Sequence, residues 1–180
     1  ADAGDPNGMD RVSAHCYTTK EFTESARWAR KAATLGVTAS MIRLAKIHYQ
    51  GNGHPRDPEA AARWLELSAQ AGDTEGMQAY ATLLESGEGV PKDLPAAVAW
   101  YRKASEAGDT SATLALAIRI QIGHGVDRDE AQALVLLRQV AEKTQNPRAW
   151  HLLGLASWRG QGTPVDGPLA AQCFEKAALA

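Results

Sequence analysis

The stretch Gly87-Glu88-Gly89-Val90-Pro91-Lys92-Asp93, followed by Ala97, by Trp100-Tyr101 and by Ala107-Gly108-Asp109, decides the fold, because the chain repeats it. The glycine pair recurs as Gly51-Asn52-Gly53, as Gly123-His124-Gly125 and as Gly160-Gln161-Gly162, in steps of 36, 36 and 37 residues. An aspartate follows each in register: Asp57, Asp93, Asp129 and Asp166. Alanines follow at Ala61, Ala97, Ala133 and Ala170. A large apolar pair comes next: Trp64-Leu65, Trp100-Tyr101, Leu136-Leu137 and Cys173-Phe174. One further unit closes with Ala71-Gly72-Asp73. Stepping back 36 residues from Trp64 and Gly72 reaches Trp28 and Gly36, so a half-unit precedes the first full one. A fixed period of this length is the mark of a repeat architecture.

Each unit reads as two helices. In residues 74–109, Met77, Tyr80, Ala81 and Leu84 fall at i, i+3, i+4 and i+7, one face of an amphipathic helix. The glycine pair stops it, because glycine accepts the left-handed conformation beyond a helix end. Asp93 is placed to cap the next helix, and Pro95 suits its first turn. Ala97, Trp100, Tyr101 and Ala104 make the second apolar face, which Gly108 ends. A helix pair cannot bury both faces alone, so neighbouring pairs must stack. Small residues recur mid-helix at Ala45, Ala81, Ala117 and Gly154, where they permit close helix–helix approach. The chain holds 34 alanines, a composition that suits such contacts.

Taken together, the pattern G-x-G-V-x-x-D…A…W-Y-x-K-A…A-G-D resembles the Sel-one-like repeat, a relative of the tetratricopeptide repeat. Residues 87–109 follow it nearly throughout, and the likeness extends over residues 24–180. Tetratricopeptide units are about 34 residues long and lack the glycine pair. Two departures stand out. The third unit ends Lys143-Thr144-Gln145-Asn146 with no closing glycine. The family's tyrosine near the end of the first helix is His48, Leu84, Ile120 or Ser157 here.

The expected fold is all-α: a right-handed α-solenoid of stacked antiparallel helix pairs, about nine helices. Residues 1–20 are read as an N-terminal extension or cap. Residues 21–180 are read as the solenoid, with a half unit at 21–37 and full units at 38–73, 74–109, 110–146 and 147–180.

What the resemblance implies is a non-catalytic scaffold or adaptor, often bacterial, that binds a partner protein in its concave groove. The partner would be an assembly component or a toxin. The second case is a periplasmic immunity protein that neutralises a secreted toxin such as a type VI lipase effector. The size of the chain and the start at Ala1-Asp2-Ala3-Gly4, which suits a mature exported protein, motivate it. The expected location is periplasmic or secreted, with cytoplasmic as the alternative. A β-lactamase-like hydrolase, as described for cysteine-rich members of the family, is disfavoured. Those members have a cysteine pair in each repeat, whereas this chain has only Cys16 and Cys173, and no S-x-x-K, S-D-N or K-T-G occurs.

Other chemistry finds little support. Nineteen basic against 21 acidic residues, a net charge of −2, argue against a nucleic-acid partner. Apolar runs fall well short of the roughly 18 residues a membrane span needs. The five histidines, His15, His48, His54, His124 and His151, form no H-x-x-x-H pair, and no C-x-x-C exists, so no metal or cofactor is expected. His48 and His54 flank one glycine turn, but solvated loop histidines are the simpler reading. The glycine pairs follow helices rather than strands, so they fail as phosphate loops.

The groove should be lined by the outward positions of each first helix. In register these are Arg43, Ala79, Ala115 and Leu152; then Lys46, Thr82, Ile118 and Leu155; then Gln50, Ser86, Ile122 and Arg159. The partner-binding set is therefore Arg43, Lys46, Gln50, Thr82, Ile118, Ile122, Leu152, Leu155, Trp158 and Arg159, basic and polar early, apolar late. The late apolar stretch has two readings of equal weight: a seat for an apolar segment of a partner, or side chains buried against each other or under a terminal extension. The C-terminal Ala177-Ala178-Leu179-Ala180 carries no polar cap, so that end is expected to pack on another copy, a partner or a further helix.

Overall fold

The structure is a computed structural model that describes residues 5–180. These residues form ten helices joined by short connections, in two compact units that divide between Asp93 and Leu94. The first unit holds α1 (Pro6–Thr18), α2 (Phe22–Thr34), α3 (Thr38–Gln50), α4 (Pro58–Gln70) and α5 (Thr74–Ser86). The second holds α6 (Leu94–Glu106), α7 (Thr110–Ile122), α8 (Glu130–Thr144), α9 (Pro147–Arg159) and α10 (Gly167–Leu179). Within each unit every helix packs on the next in sequence, the stacked-pair arrangement that the ladder implies.

The repeated aspartates do what their spacing suggests. Asp57 accepts from the Ala60 amide at 2.9 Å, Asp129 from Gln132 at 2.8 Å and Asp166 from Leu169 at 2.9 Å. Each satisfies one of the amides that a helix start leaves without a partner. Asp73 caps α5 through Gly76 and also accepts from the Thr38 hydroxyl at 2.8 Å, tying one repeat to the previous one. Alanine fills the contact positions: Ala29, Ala61, Ala97, Ala117 and Ala133 are fully buried. In the first unit Ala29, Ala33, Met41 and Leu44 form a core against Ala26 and Trp64. In the second, Leu137, Val140, Trp150, Leu153 and Cys173 pack together. Cys16 and Cys173 are both buried free thiols.

The two glycines of each turn have different jobs, which reading both as helix terminators misses. The first ends the helix: Gly87 is left-handed at φ 76° and donates to the Leu83 carbonyl. The second lets two repeats touch. A Cβ on Gly89 would lie 2.2 Å from the Pro58 carbonyl oxygen, at the start of α4 in the preceding repeat. Gly125 meets the start of α6 at Leu94 in the same way, and Gly162 the start of α8 at Glu130.

Two further findings correct the sequence reading. The described residues hold ten helices where about nine were expected, because residues 6–18 form a helix. Asp5 caps it through the Asn7 amide, and it packs on α2 through a reciprocal pair of hydrogen bonds. Each hydroxyl of Ser13 and Ser25, both fully buried, donates to the other residue's carbonyl at 2.9 Å. The glycine turn is absent between α1 and α2; Lys20, at φ 64°, makes the reversal instead. In the third full unit α8 runs 15 residues rather than 13, and Gln145 takes the missing glycine's left-handed place at φ 52°.

Candidate protein-binding surfaces

In the first unit the expected binding side chains are largely engaged with their own chain. The Arg43 guanidinium lies 2.6 Å from the Asp10 carboxylate on α1, and its side chain is only 16% exposed. Burial alone would raise the Asp10 pKa; hydrogen bonds from Arg43 and Ser40, with the Arg43 charge, outweigh it and hold the carboxyl below the usual range. Lys46 pairs with Glu75 at 2.9 Å in solvent. Gln50 accepts hydrogen bonds from the Tyr17 hydroxyl and the Asn52 amide. The Thr82 hydroxyl turns back to the Gln78 carbonyl. These first-helix positions are therefore less basic than their composition suggests.

Next to these residues, Glu88 of the second glycine turn accepts from the Tyr49 hydroxyl at 2.6 Å and pairs with Arg56. Arg56 also donates to the Tyr49 carbonyl and lies over its ring. The Tyr49 hydrogen bond, joined by Arg56, outweighs the opposing desolvation and lowers the Glu88 pKa.

In the second unit the same register positions are Gln121, Arg128 and Gln161, and no carboxylate comes from the turn. A cleft of about 350 Å³ opens there between the ends of α7 and α9. It brings together four of the expected residues, Ile122, Leu152, Leu155 and Arg159, with Arg128 and Gln121 beside them. Ile122 is 62% exposed, although isoleucine is ordinarily an interior residue. Leu152 and Leu155 are half-buried, and Leu152 also packs on the core of this unit. Leu152 thus supports the core of this unit from one side and floors the cleft from the other. Arg128 pairs with Glu130 at the rim. Ile118 is half-buried on α7, and Trp158 is 62% exposed on α9; neither lines this cleft. Arg128 sits in a connection rather than on a first helix, so the expected groove omits it, although a basic residue precedes the capping aspartate in register at Arg56, Lys92 and Arg128.

The glycine-turn histidines do come together. The His48 and His54 rings lie 4.5 Å apart, and His54 Nδ1 is 2.7 Å from the Pro55 carbonyl. Among the described residues no group of three or more histidine, cysteine or carboxylate side chains is placed to hold a metal ion. Nor is any helix of the described residues long and apolar enough to cross a membrane.

The Sel1 repeat pattern matches residues 17–37, 38–73, 74–109, 110–144 and 147–180. The chain belongs to the Sel1 repeat family. Sel1 repeats generally mediate protein–protein interaction, and their fold is typically a non-catalytic scaffold. Solved structures of Sel1 proteins agree on the fold. A Sel1 repeat protein from Oxalobacter formigenes superimposes with a TM-score of 0.90 at 23% identity, over 97% of this chain and 73% of that one. The c5321 protein, a protective antigen of uropathogenic Escherichia coli, gives 0.89 at 24% identity over 97% of this chain. The present chain spans only 38% of the length of c5321. Cysteine-rich protein B of Helicobacter pylori gives 0.54 at 21% identity, over 68% of this chain and 87% of that one. No curated protein matches the chain.

Proposed function

We propose that this Sel1 protein is a non-catalytic binding module that seats an apolar segment of a partner protein in the cleft between α7 and α9. The exposed Ile122 beside Leu152 and Leu155 carries this reading. Burying the exposed Ile122 is worth at most about 1.5–3 kcal/mol, and the half-buried Leu152 and Leu155 contribute less each. Arg159 at the rim favours an acidic residue next to the apolar anchor. An assembly partner or a toxin held by an immunity protein would use the same surface.

The test is affinity capture from the source cells, with mass spectrometry of what is retained. Ile122→Glu places a charge on an exposed position, so helicity should be unchanged while partner recovery falls about tenfold or more. Undiminished capture by Ile122→Glu overturns the reading, and the identity of the captured protein separates an assembly role from toxin neutralisation.

A further inference from the structure

A second cleft, in the first unit and on different helices, has a chemistry of its own. It lies between α2 and the turn at Gly53 and His54 and has a volume of about 530 Å³. Arg27, Arg30 and Lys31 line it, and no carboxylate does. Arg27 has an exposed pairing with Glu24 at 3.5 Å, of the kind that contributes little. Lys31 lies over the Trp28 ring, 4.7 Å from its centre. Among the described residues neither Arg30 nor Lys31 has a carboxylate partner.

The repeat supplies an internal comparison. One repeat on, the equivalent cleft is lined by Glu59, Arg63 and Glu66, so acid outnumbers base. The equivalent cleft in the second unit has Arg138 balanced by Glu142. The corresponding stripe of α6 carries Arg102 and Lys103 with Glu106, two cations and an anion. The fold requires a cleft here; it does not require this charge. The local field also acts on His48 behind the turn. Burial first, then His54, Arg30 and Arg63, hold its pKa below the usual imidazole range, with only Asp57 opposing.

We propose that the cleft between α2 and the 53–54 turn is a second docking site that takes an extended acidic segment of a partner protein. Its reach argues for a peptide rather than a lone anion. The lining runs along α2 from Thr23 to Thr34. At about 1.5 Å per residue that is roughly 16 Å. An extended chain at about 3.3 Å per residue covers it with roughly five residues. Arg27 and, one turn on, Arg30 with Lys31 then face carboxylates of the segment, and Ala26 with the arginine stems supplies an apolar floor.

The test is fluorescence anisotropy of a labelled octaglutamate peptide with the intact chain. Binding should weaken steeply as salt rises from about 50 to 200 mM. Arg30→Glu with Lys31→Leu installs the residues found one repeat on, Glu66 and Leu67. It should weaken binding about tenfold or more. Arg27→Gln, on an exposed side chain, gives a smaller loss and guards against misfolding of the double variant. Ile122→Glu should bind the peptide as the wild type does, so this site and the α7–α9 cleft succeed or fail separately. An equal loss on Arg102→Glu with Lys103→Leu would overturn the proposal, since any basic stripe would then suffice. So would displacement of the peptide by millimolar inorganic phosphate, or an oligonucleotide of the same length binding as tightly.

Discussion

Gly89 offers the sharpest test of how these repeats are joined. Its φ of 74° lies in the left-handed region, where an L-residue costs about 1–2 kcal/mol. A Cβ there would also lie 2.2 Å from the Pro58 oxygen, 2.4 Å from its carbon and 2.9 Å from the Glu59 nitrogen. All three are backbone atoms at the capped start of α4, so no side-chain rotation relieves the clash. The turn must move by roughly 1 Å, an overpacking cost of about 1–3 kcal/mol. Gly89→Ala should therefore lose about 2–5 kcal/mol, a large share of the roughly 5–15 kcal/mol of a typical domain. Gly89→Val adds a branched side chain in the same conformation and should lose more.

Gly72 is the control. Its φ is 90°, yet nothing lies within 4 Å of where its Cβ would stand. Gly72→Ala thus carries the conformational cost alone, about 1–2 kcal/mol. Urea unfolding followed by circular dichroism measures both variants, with the slope checked because repeat arrays can unfold in parts. At about 2–4 °C per kcal/mol, Gly89→Ala should melt clearly below Gly72→Ala. If the two variants lose the same stability, the inter-repeat approach has no energetic role and the reasoning fails.

Three further outcomes are expected. Gln145→Gly should stabilise the chain by about 0.5–1 kcal/mol, because it relieves a left-handed glutamine; a lower melting temperature would refute this. Gly154→Ala restores the small residue of the other repeats, but its Cβ would meet the Phe174 ring at 2.7 Å and should cost about 1–3 kcal/mol. Phe174→Leu, matching Leu65 and Leu137, should recover most of that loss, and additive effects in the double-mutant cycle would sink the assignment. Asp10→Asn leaves the mostly buried Arg43 without its carboxylate and should cost about 1–3 kcal/mol near neutral pH. The folded Asp10 pKa is lowered, so its stabilisation is present above the unfolded value near 3.8 and is lost as pH falls below it. The gap between Asp10→Asn and wild type should narrow as pH falls from about 3.8, and a gap that does not narrow in acid would contradict this.

What could be read from the residues, and what could not, follows from the range of each interaction. Asp57 caps an amide three residues away, and Gly87 closes a helix on a carbonyl four residues back; such local demands print a period into the chain. The first helix leaves no such print. Stepping back 36 residues from Gly51 and Gly53 lands on His15 and Tyr17, and Lys20 makes the turn without glycine. The expected groove suffers from the same limit. Arg43 was assignable to an outward face, but the carboxylate that occupies it lies 33 residues earlier, on the helix the ladder does not mark. Ile122, Leu152, Leu155 and Arg159 could be placed on one side because all four sit on first helices in register. The basic cleft could not, since it joins a helix stripe at 27–31 to a turn at 53–54, across the junction between repeats. At the later junctions the second glycine of the turn, Gly89, Gly125 or Gly162, leaves no room for a Cβ against the backbone of the preceding repeat. The residue that reads as a simple helix stop is thus also the one that brings turn and helix together, and the clefts vary in charge from repeat to repeat while the glycines stay.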